Sequence, residues 1–144
     1  MKIKIRYHDP KMPMLEFYGG TDKSNWVDLR CKDEEILRAG EYKLISLGVS
    51  MELPEGYEAL VIPRSSTFKR YGLLQTNSVG LIDGSYKGDD DIWYMPVLAT
   101  RDVEIPQYER ICQFRIIKRM DAVEFEPVDS LDNTNRGGIG STNE

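Results

Sequence analysis

The chain has 144 residues, of which 40% are hydrophobic and 30% charged, and its formal net charge is −5. This length predicts one domain, since about 150 residues per domain is usual, and such a domain folds without disulfides or a structural metal. The longest uncharged stretch, 71–82, is shorter than the roughly 20 residues of a membrane helix, and 1–9 lacks the apolar core of a signal peptide. We therefore expect a cytoplasmic protein without membrane contact. Because the chain is acidic and has no run of Lys and Arg, we expect no direct nucleic-acid binding.

Short alternating or apolar stretches, separated by Gly, Pro and Asn turns, predict β-strands along the chain. They are 2–7, 26–31, 42–45, 48–53, 58–62, 73–75, 79–82, 92–99, 103–105, 110–117 and 122–125. The turns at 54–56 and 76–78 each predict a hairpin between the strands on either side. Only 65–71, with capping serines and Gly72 behind it, predicts a helix, of two turns at most. No segment keeps a helical period for three turns, so we predict an all-β sandwich or jelly-roll-like barrel.

The cysteines and the single histidine show no catalytic or metal-binding pattern. Cys31 and Cys112 are far apart in sequence and lack CxxC spacing, which predicts reduced thiols in or near the core. His8 precedes an Asp-Pro turn and is predicted to be an incidental surface residue. One histidine and two scattered cysteines do not form the pattern of a zinc site or of a catalytic triad.

The composition changes at Val128, where the chain becomes polar and glycine-rich. Such a segment cannot bury enough apolar surface to order itself, which predicts a folded domain over 1–127 and a flexible C-terminal arm over 128–144. Within the arm, 136–142 contains Arg136, three glycines and two hydroxyl residues, a composition suited to folding over phosphates, although it lacks the Walker pattern. A frayed terminus is the alternative interpretation.

Three further polar features could carry chemistry. Arg64, with two serines behind it at the start of the predicted helix, favours either an anion site or a simple cap with a surface arginine. Asp83 ends an apolar strand among glycines, where it could orient a water or merely form a turn. Gln113 lies among apolar strand residues and must find a hydrogen-bond partner, in the core or on a ligand. By contrast, 89–91 predicts a solvated acidic turn, since successive carboxylates on a strand point to opposite faces.

The order of these features is more specific than any one of them. The segments 47–57, 63–66, 77–88, 109–113 and 136–142 follow one another as do the motifs of the trimeric all-β dUTPase family, which the chain resembles from Trp26 to Thr142. Val27-Asp28-Leu29 corresponds to a reduced first motif, and Ile139 stands where many members have a Phe that covers the base. The residues at 26–29, 63–67 and 111–115 resemble the branch of the family found in bacilli and their phages. This resemblance implies a bacterial protein of host or phage origin.

This resemblance implies the fold, the reaction and the cofactor. The fold would be a distorted jelly-roll barrel in a homotrimer whose active sites are shared between subunits and closed by the C-terminal arm. The reaction would be Mg²⁺-assisted hydrolysis of dUTP to dUMP and pyrophosphate, which limits uracil incorporation into DNA and supplies dUMP for dTMP synthesis. Asp83 would activate the water that attacks the α-phosphorus, and Asp28 would contact the Mg²⁺ through water. The substrate-binding residues would be Arg64, Ser65, Ser66, Asn77, Gly80, Tyr86, Gln113, Arg136, Ile139, Gly140 and Ser141.

Three other functions fit parts of the sequence. A dCTP deaminase of the same superfamily would share the fold but would need a glutamate suited to attack on cytosine, where this chain has Asp83. A regulatory protein on the dUTPase scaffold would bind partners in a nucleotide-dependent way, although the retained carboxylate and arginines favour an active enzyme. A sugar-binding β-sandwich would explain the fold but none of the arginine and glycine motifs.

Overall fold

The computed structural model describes residues 1–140, and its elements are short because Gly, Pro and Asn turns interrupt the chain every few residues. It has eleven strands and one helix. The elements are β1 (Lys4–Tyr7), β2 (Val27–Arg30), β3 (Glu35–Leu37), β4 (Tyr42–Ser46), β5 (Val49–Glu52), β6 (Tyr57–Pro63), α1 (Thr67–Tyr71), β7 (Leu73–Gln75), β8 (Gly80–Ile82), β9 (Tyr94–Ala99), β10 (Val103–Ile105) and β11 (Arg110–Lys118). Within the described residues, no helix is long and apolar enough to cross a membrane.

The strands form four antiparallel sheets, which confirms the all-β prediction. The largest has the order β2-β11-β6-β8, a three-stranded sheet has the order β4-β9-β7, and β1–β5 and β3–β10 form pairs. Most neighbours in a sheet are distant in sequence, as expected of a jelly-roll rather than a meander of hairpins. Asp28 and Gln113 lie on strands of the four-stranded sheet, and Arg64 and Asp83 directly follow two of its strands.

The core lies between these sheets and is closed by large apolar side chains. Trp93 is fully buried and meets Phe114 edge to face, with ring centroids 5.2 Å apart. Cys31 and Cys112 are both free and fully buried, as the sequence predicts. Burial raises the pKa of the Cys31 thiol to about 11 and that of Cys112 further, so both thiols stay protonated and unreactive at neutral pH.

Several local predictions are wrong. Neither predicted hairpin forms, because β5 pairs with β1, β6 with β11 and β8, and β7 with β9. The segment 122–125 forms no strand and is exposed, and β3 was not predicted from its three residues. His8 is half-buried rather than incidental on the surface, since its Nε2 lies 2.8 Å from the Ser50 hydroxyl on β5.

Candidate active site

Asp28 and two arginines form a charged cluster at one end of the four-stranded sheet. Asp28 lies on β2 directly opposite Gln113 of β11 and is only 7% exposed. Its Oδ1 lies 3.2 Å from Arg64 Nε, and its Oδ2 lies 3.5 Å from Arg110 Nε. A buried carboxylate requires such partners. One carboxylate facing two guanidiniums leaves a local excess of positive charge, which suits an anionic ligand in a chain that is negative overall.

The turn between β6 and α1 presents Arg64. Its backbone N–H donates to Thr67 Oγ1 at 2.9 Å, and the Thr67 hydroxyl donates to the Ile111 carbonyl of β11 at 2.8 Å. Ser66 occupies the N-cap position but makes no side-chain capping bond, and Ser65 is exposed. The Thr67 hydroxyl therefore makes the local hydrogen bonds that the sequence predicts for the serines. Both serine hydroxyls are left available to a ligand.

We expect Thr67→Val to destabilise the protein by about 1–3 kcal/mol, because it leaves two backbone groups without their buried partner. Thr67 is 1% exposed, so water cannot replace the lost hydroxyl. Urea unfolding at a fixed protein concentration measures the effect, with Thr67→Ser as the control that keeps both bonds. Equal stability of the valine variant and the wild type would show that the hydroxyl does not hold Arg64 in place.

A strained corner before β11 sets the position of Arg110. Tyr108 adopts a positive φ of 67°, and its carbonyl accepts a hydrogen bond from Arg30 at 2.9 Å. The Tyr71 hydroxyl donates to the Glu109 carboxylate, and burial together with this bond raises the pKa of Tyr71 to about 12. Sequence reasoning placed Arg110 in a motif but did not select it as a site residue, since nothing in the sequence shows that it meets Asp28.

The Gln113 side chain finds a hydrogen-bond partner within the protein, which is one of the two interpretations of the sequence. Its Nε2 donates to the Pro63 carbonyl at 3.1 Å, which ties β11 to the end of β6 just before Arg64. The residue is half-buried. Its side chain thus lies at the same end of the sheet as Asp28 and Arg64, and these three predicted residues form one group.

A second group of predicted residues surrounds β8. Gly80 is buried, and an added Cβ would lie 3.1 Å from Val61 Cβ, so a larger residue would have to displace Val61 from this close approach to β6. Gln75, which the sequence analysis did not select, is 9% exposed and donates to the Val61 carbonyl at 2.9 Å. This buried bond fixes the base of the loop that carries Asn77, an exposed residue at its tip.

Asp83 follows β8 as an exposed residue at the edge of a cleft of about 950 Å³. Its carbonyl accepts the backbone N–H of Tyr86 at 3.0 Å, which closes the turn, and the Tyr86 hydroxyl donates to the Ile92 carbonyl at 2.8 Å. Burial raises the pKa of Tyr86, so its hydroxyl remains a donor at neutral pH. The cleft is lined by four cations and four carboxylates, a balance that does not favour a polyphosphate. The charged lining residues are Lys2, Lys4, Glu52, Glu55, Glu58, Asp83, Lys87 and Arg119.

Asp83 and Arg64 lie at opposite ends of β6. Ile82 pairs with Ala59, which puts Asp83 beside Glu58, whereas Arg64 follows the last residue of the strand. Six residues of extended chain separate these positions by roughly 20 Å. Within one chain, Asp83 therefore cannot reach a phosphate held at Arg64.

Within the described residues, the predicted arm residues Arg136, Ile139 and Gly140 make no hydrogen bond or ion pair with either group. Beyond β11 the chain is exposed as far as Gly140 and forms no strand, and Ile139 is fully exposed. Arg136 and Gly140 lie on this extended segment. The predicted substrate-binding residue Ser141 lies outside the described residues.

No group of three or more His, Cys, Asp or Glu side chains in 1–140 is arranged to hold a metal. Asp28 Oδ2 is nonetheless buried without a hydrogen-bond partner, because its contact with Arg110 is an ion pair and not an aligned hydrogen bond. Magnesium often takes one or two carboxylates and completes its shell with water and substrate phosphates. The site fits Mg²⁺ in that mode and not as a protein-built cage.

A jelly-roll chain with two arginines around a buried carboxylate at one end of a sheet defines an all-β protein suited to phosphorylated ligands. The family model described as dUTPase matches residues 19–143, so the chain belongs to the dUTPase family. Curated relatives agree across the full length. The chain is 51% identical over 142 residues to the SPbeta prophage-derived deoxyuridine 5'-triphosphate nucleotidohydrolase of Bacillus subtilis, covering 99% of this chain and 98% of that protein.

A second relative and one solved structure extend the comparison. The deoxyuridine 5'-triphosphate nucleotidohydrolase of a Hydrogenobaculum species is 39% identical over 131 residues, which is 89% of each chain. The dUTPase of Staphylococcus bacteriophage 80alpha, in a G164S variant with dUpNHpp, superimposes with a TM-score of 0.79 over 98% of both chains at 17% identity. At that identity, the likeness establishes the fold alone.

Proposed function

We propose that this protein hydrolyses dUTP to dUMP and pyrophosphate. The observation that carries the proposal is the charged cluster of Asp28, Arg64 and Arg110, with Gln113 beside it. The cluster lies in a chain that belongs to the dUTPase family along most of its length. The relatives named above carry the name of this activity. The cluster has the excess positive charge that a triphosphate requires, and the retained Asp83 is the base that the reaction requires.

The phosphates bind at the end of the sheet that carries Arg64. A guanidinium offers paired N–H donors to phosphate oxygens, and the free hydroxyls of Ser65 and Ser66 lie next to it in the chain. Gln113 adds an amide donor at the same end, and the arm supplies the guanidinium of Arg136 when it closes. These donors bind the negative charge of the triphosphate.

Asp83 holds and activates the attacking water. The water oxygen forms a bond to the α-phosphorus, its proton passes to the Asp83 carboxylate, and the bond from the α-phosphorus to the bridging oxygen breaks as pyrophosphate leaves. An exposed carboxylate at a strand end suits this role, because no partner within 1–140 occupies its oxygens by a hydrogen bond or an ion pair.

Magnesium is the cofactor that we assign to this reaction. Asp28 would contact its water shell through Oδ2, the buried oxygen that lacks a hydrogen-bond partner. When bound, the ion neutralises phosphate charge during bond cleavage. Asp28 also holds Arg64 and Arg110 through its two oxygens, so it organises the anion site whether or not the ion is present.

Base and sugar are selected by the loop around β8. Its backbone groups near Asn77 and Gly80 offer donors and acceptors to the uracil edge, and close approach of the backbone at Gly80 to the base leaves no room for a 5-methyl group. Tyr86 packs on the deoxyribose and excludes a 2′-hydroxyl. Ile139 and Gly140 cover the base when the arm closes, and Ser141 joins them on the phosphates.

Active sites form between copies of the chain in a homotrimer. The roughly 20 Å between Asp83 and Arg64 along β6 supports this proposal, because only another copy can bring the two together. The outer face of the β4-β9-β7 sheet also exposes apolar side chains that a partner would cover. These are Tyr42, Leu44, Leu74 and Tyr94. The folded unit is 1–127, and the arm 128–144 closes over a site of the assembly.

The biological setting follows from the activity and the relatives. Hydrolysis of dUTP keeps uracil out of newly made DNA and supplies dUMP for dTMP synthesis, a role that supports our proposal of a cytoplasmic protein in a bacterial cell. The 51% identity to a prophage-derived protein supports a phage or prophage origin.

The test is pyrophosphate release from dUTP, dTTP, dCTP and UTP, measured side by side with Mg²⁺ and with EDTA. We expect release from dUTP alone and loss of most of that activity in EDTA. Ammonia release from dCTP would instead indicate a deaminase. Binding of dUTP without hydrolysis would contradict the proposal and favour a nucleotide-dependent regulatory protein.

A further inference from the structure

Tyr18 lies against both arginines of the anion site. The Arg64 guanidinium carbon is 5.6 Å from the centre of the Tyr18 ring, and that of Arg110 is 5.1 Å from it. Both distances are within the range of a cation–π contact. The side chain is 54% exposed and belongs to none of the sequence motifs, so the sequence analysis did not select it.

The backbone, and not side-chain packing, holds Tyr18 there. The preceding residue, Phe17, forms an isolated antiparallel bridge with Val27, which directly precedes Asp28. The chain then turns at Gly19 and Gly20, both with positive φ, and the Gly20 N–H donates to the Phe17 carbonyl at 3.0 Å. The backbone at Tyr18 is therefore held beside the start of β2, next to the strand that carries Asp28.

The charge balance of the cluster indicates why an aromatic ring, and not a further carboxylate, contacts the two arginines. Asp28 is one negative charge between two guanidiniums that repel each other, and Glu16, whose carboxylate lies 3.6 Å from Arg110, is mostly exposed to water. An aromatic face attracts cations without adding a negative charge that would repel phosphates. The contact therefore orders the two arginines and leaves the site positive for its ligand.

We propose that Tyr18 is a positioning residue of the phosphate site, whose ring holds Arg64 and Arg110 in the arrangement that binds the triphosphate. The inference rests on the proposed function, because it assigns the phosphates to these arginines. Tyr18 contacts the arginines to which the phosphates are assigned. Its loss therefore weakens binding of substrate and transition state alike, which raises KM and leaves kcat nearly unchanged.

The test compares three variants in steady-state dUTP hydrolysis. Two cation–π contacts predict a KM for Tyr18→Leu that is on the order of tenfold higher, with kcat within about twofold of the wild type. Tyr18→Phe keeps the ring and should restore the wild-type KM. Phe17→Leu is the matched control, since it removes the neighbouring ring of the same loop without touching either guanidinium. Calorimetric binding of inorganic pyrophosphate should weaken in Tyr18→Leu alone.

Each other outcome has a separate meaning. Failure of the wild type to release pyrophosphate from dUTP overturns the proposed function itself. A wild-type KM in Tyr18→Leu, with an active parent protein, overturns the role of Tyr18. An equal rise of KM in Tyr18→Phe would overturn it too, because the hydroxyl and not the ring would then be responsible. An equal rise in Phe17→Leu would assign the effect to the loop and not to the contact with the arginines.

Discussion

We expect Asp83→Asn to lower kcat for dUTP by about 10³-fold, because an amide cannot accept the proton of the attacking water. The fold should survive, since the turn depends on the Asp83 carbonyl, which accepts from Tyr86, and not on its carboxylate. Asparagine has the same size, so the dissociation constant of a non-hydrolysable dUTP analogue should stay within about threefold of the wild type. Single-turnover kinetics and equilibrium binding measure the two quantities.

Asp90→Asn is the matched control for this substitution. It removes an exposed carboxylate from the same stretch of chain, one that pairs only with Arg6 at 3.5 Å on the surface. Its kcat should remain close to that of the wild type. Normal turnover in Asp83→Asn would contradict the role of this residue in water activation, and unfolding of the variant would show that the carboxylate is structural.

A mixing experiment tests whether Asp83 and Arg64 act from different chains. Asp83→Asn and Arg64→Ala are each expected to be nearly inactive. In trimers assembled at random from equal amounts of both, about one quarter of the shared sites would combine an intact Arg64 with an intact Asp83 from a neighbour. Recovery of activity near that level supports shared sites, whereas a mixture that stays inactive after co-refolding would contradict them.

Removal of residues 136–144 is expected to lower kcat/KM for dUTP by at least about 10²-fold while the protein stays folded and assembled. The described part of the arm is exposed and packs against no core residue, so its loss costs little stability. What is lost is the charge of Arg136 at the leaving phosphates and the cover that excludes water from the site. Activity assays, circular dichroism and light scattering measure the three properties.

Single substitutions distinguish the contribution of the Arg136 charge to activity from that of Ile139, which covers the base. Arg136→Ala should account for most of the loss, and Asn135→Ala, one residue earlier on the same exposed segment, should be close to the wild type. Ile139→Phe is expected to lower KM, because an aromatic ring covers the base more fully than a branched aliphatic side chain. Full activity of the truncated chain would show that the arm does not close the site.

The sequence predicted most strands correctly but not how they pair. Short apolar runs bounded by turn residues, along 58–62 and 110–117, identified β6 and β11. The turns at 54–56 and 76–78 suggested hairpins because a turn between two strands usually joins neighbours. In this fold, those turns carry the chain from one sheet to another, and nothing local in the sequence distinguishes the two cases.

The sequence by itself determined the all-β class, the motif order and the candidate residues, because these depend on residue types and spacing along the chain. Only the tertiary structure decided that Asp28 binds Arg64 and Arg110, that Tyr18 covers both arginines, and that Asp83 lies at the far end of β6. The physical reason is that each of these relations joins residues brought together by strand pairing over long sequence separations. Such pairing is set by burial of the whole core and not by any short stretch of the chain.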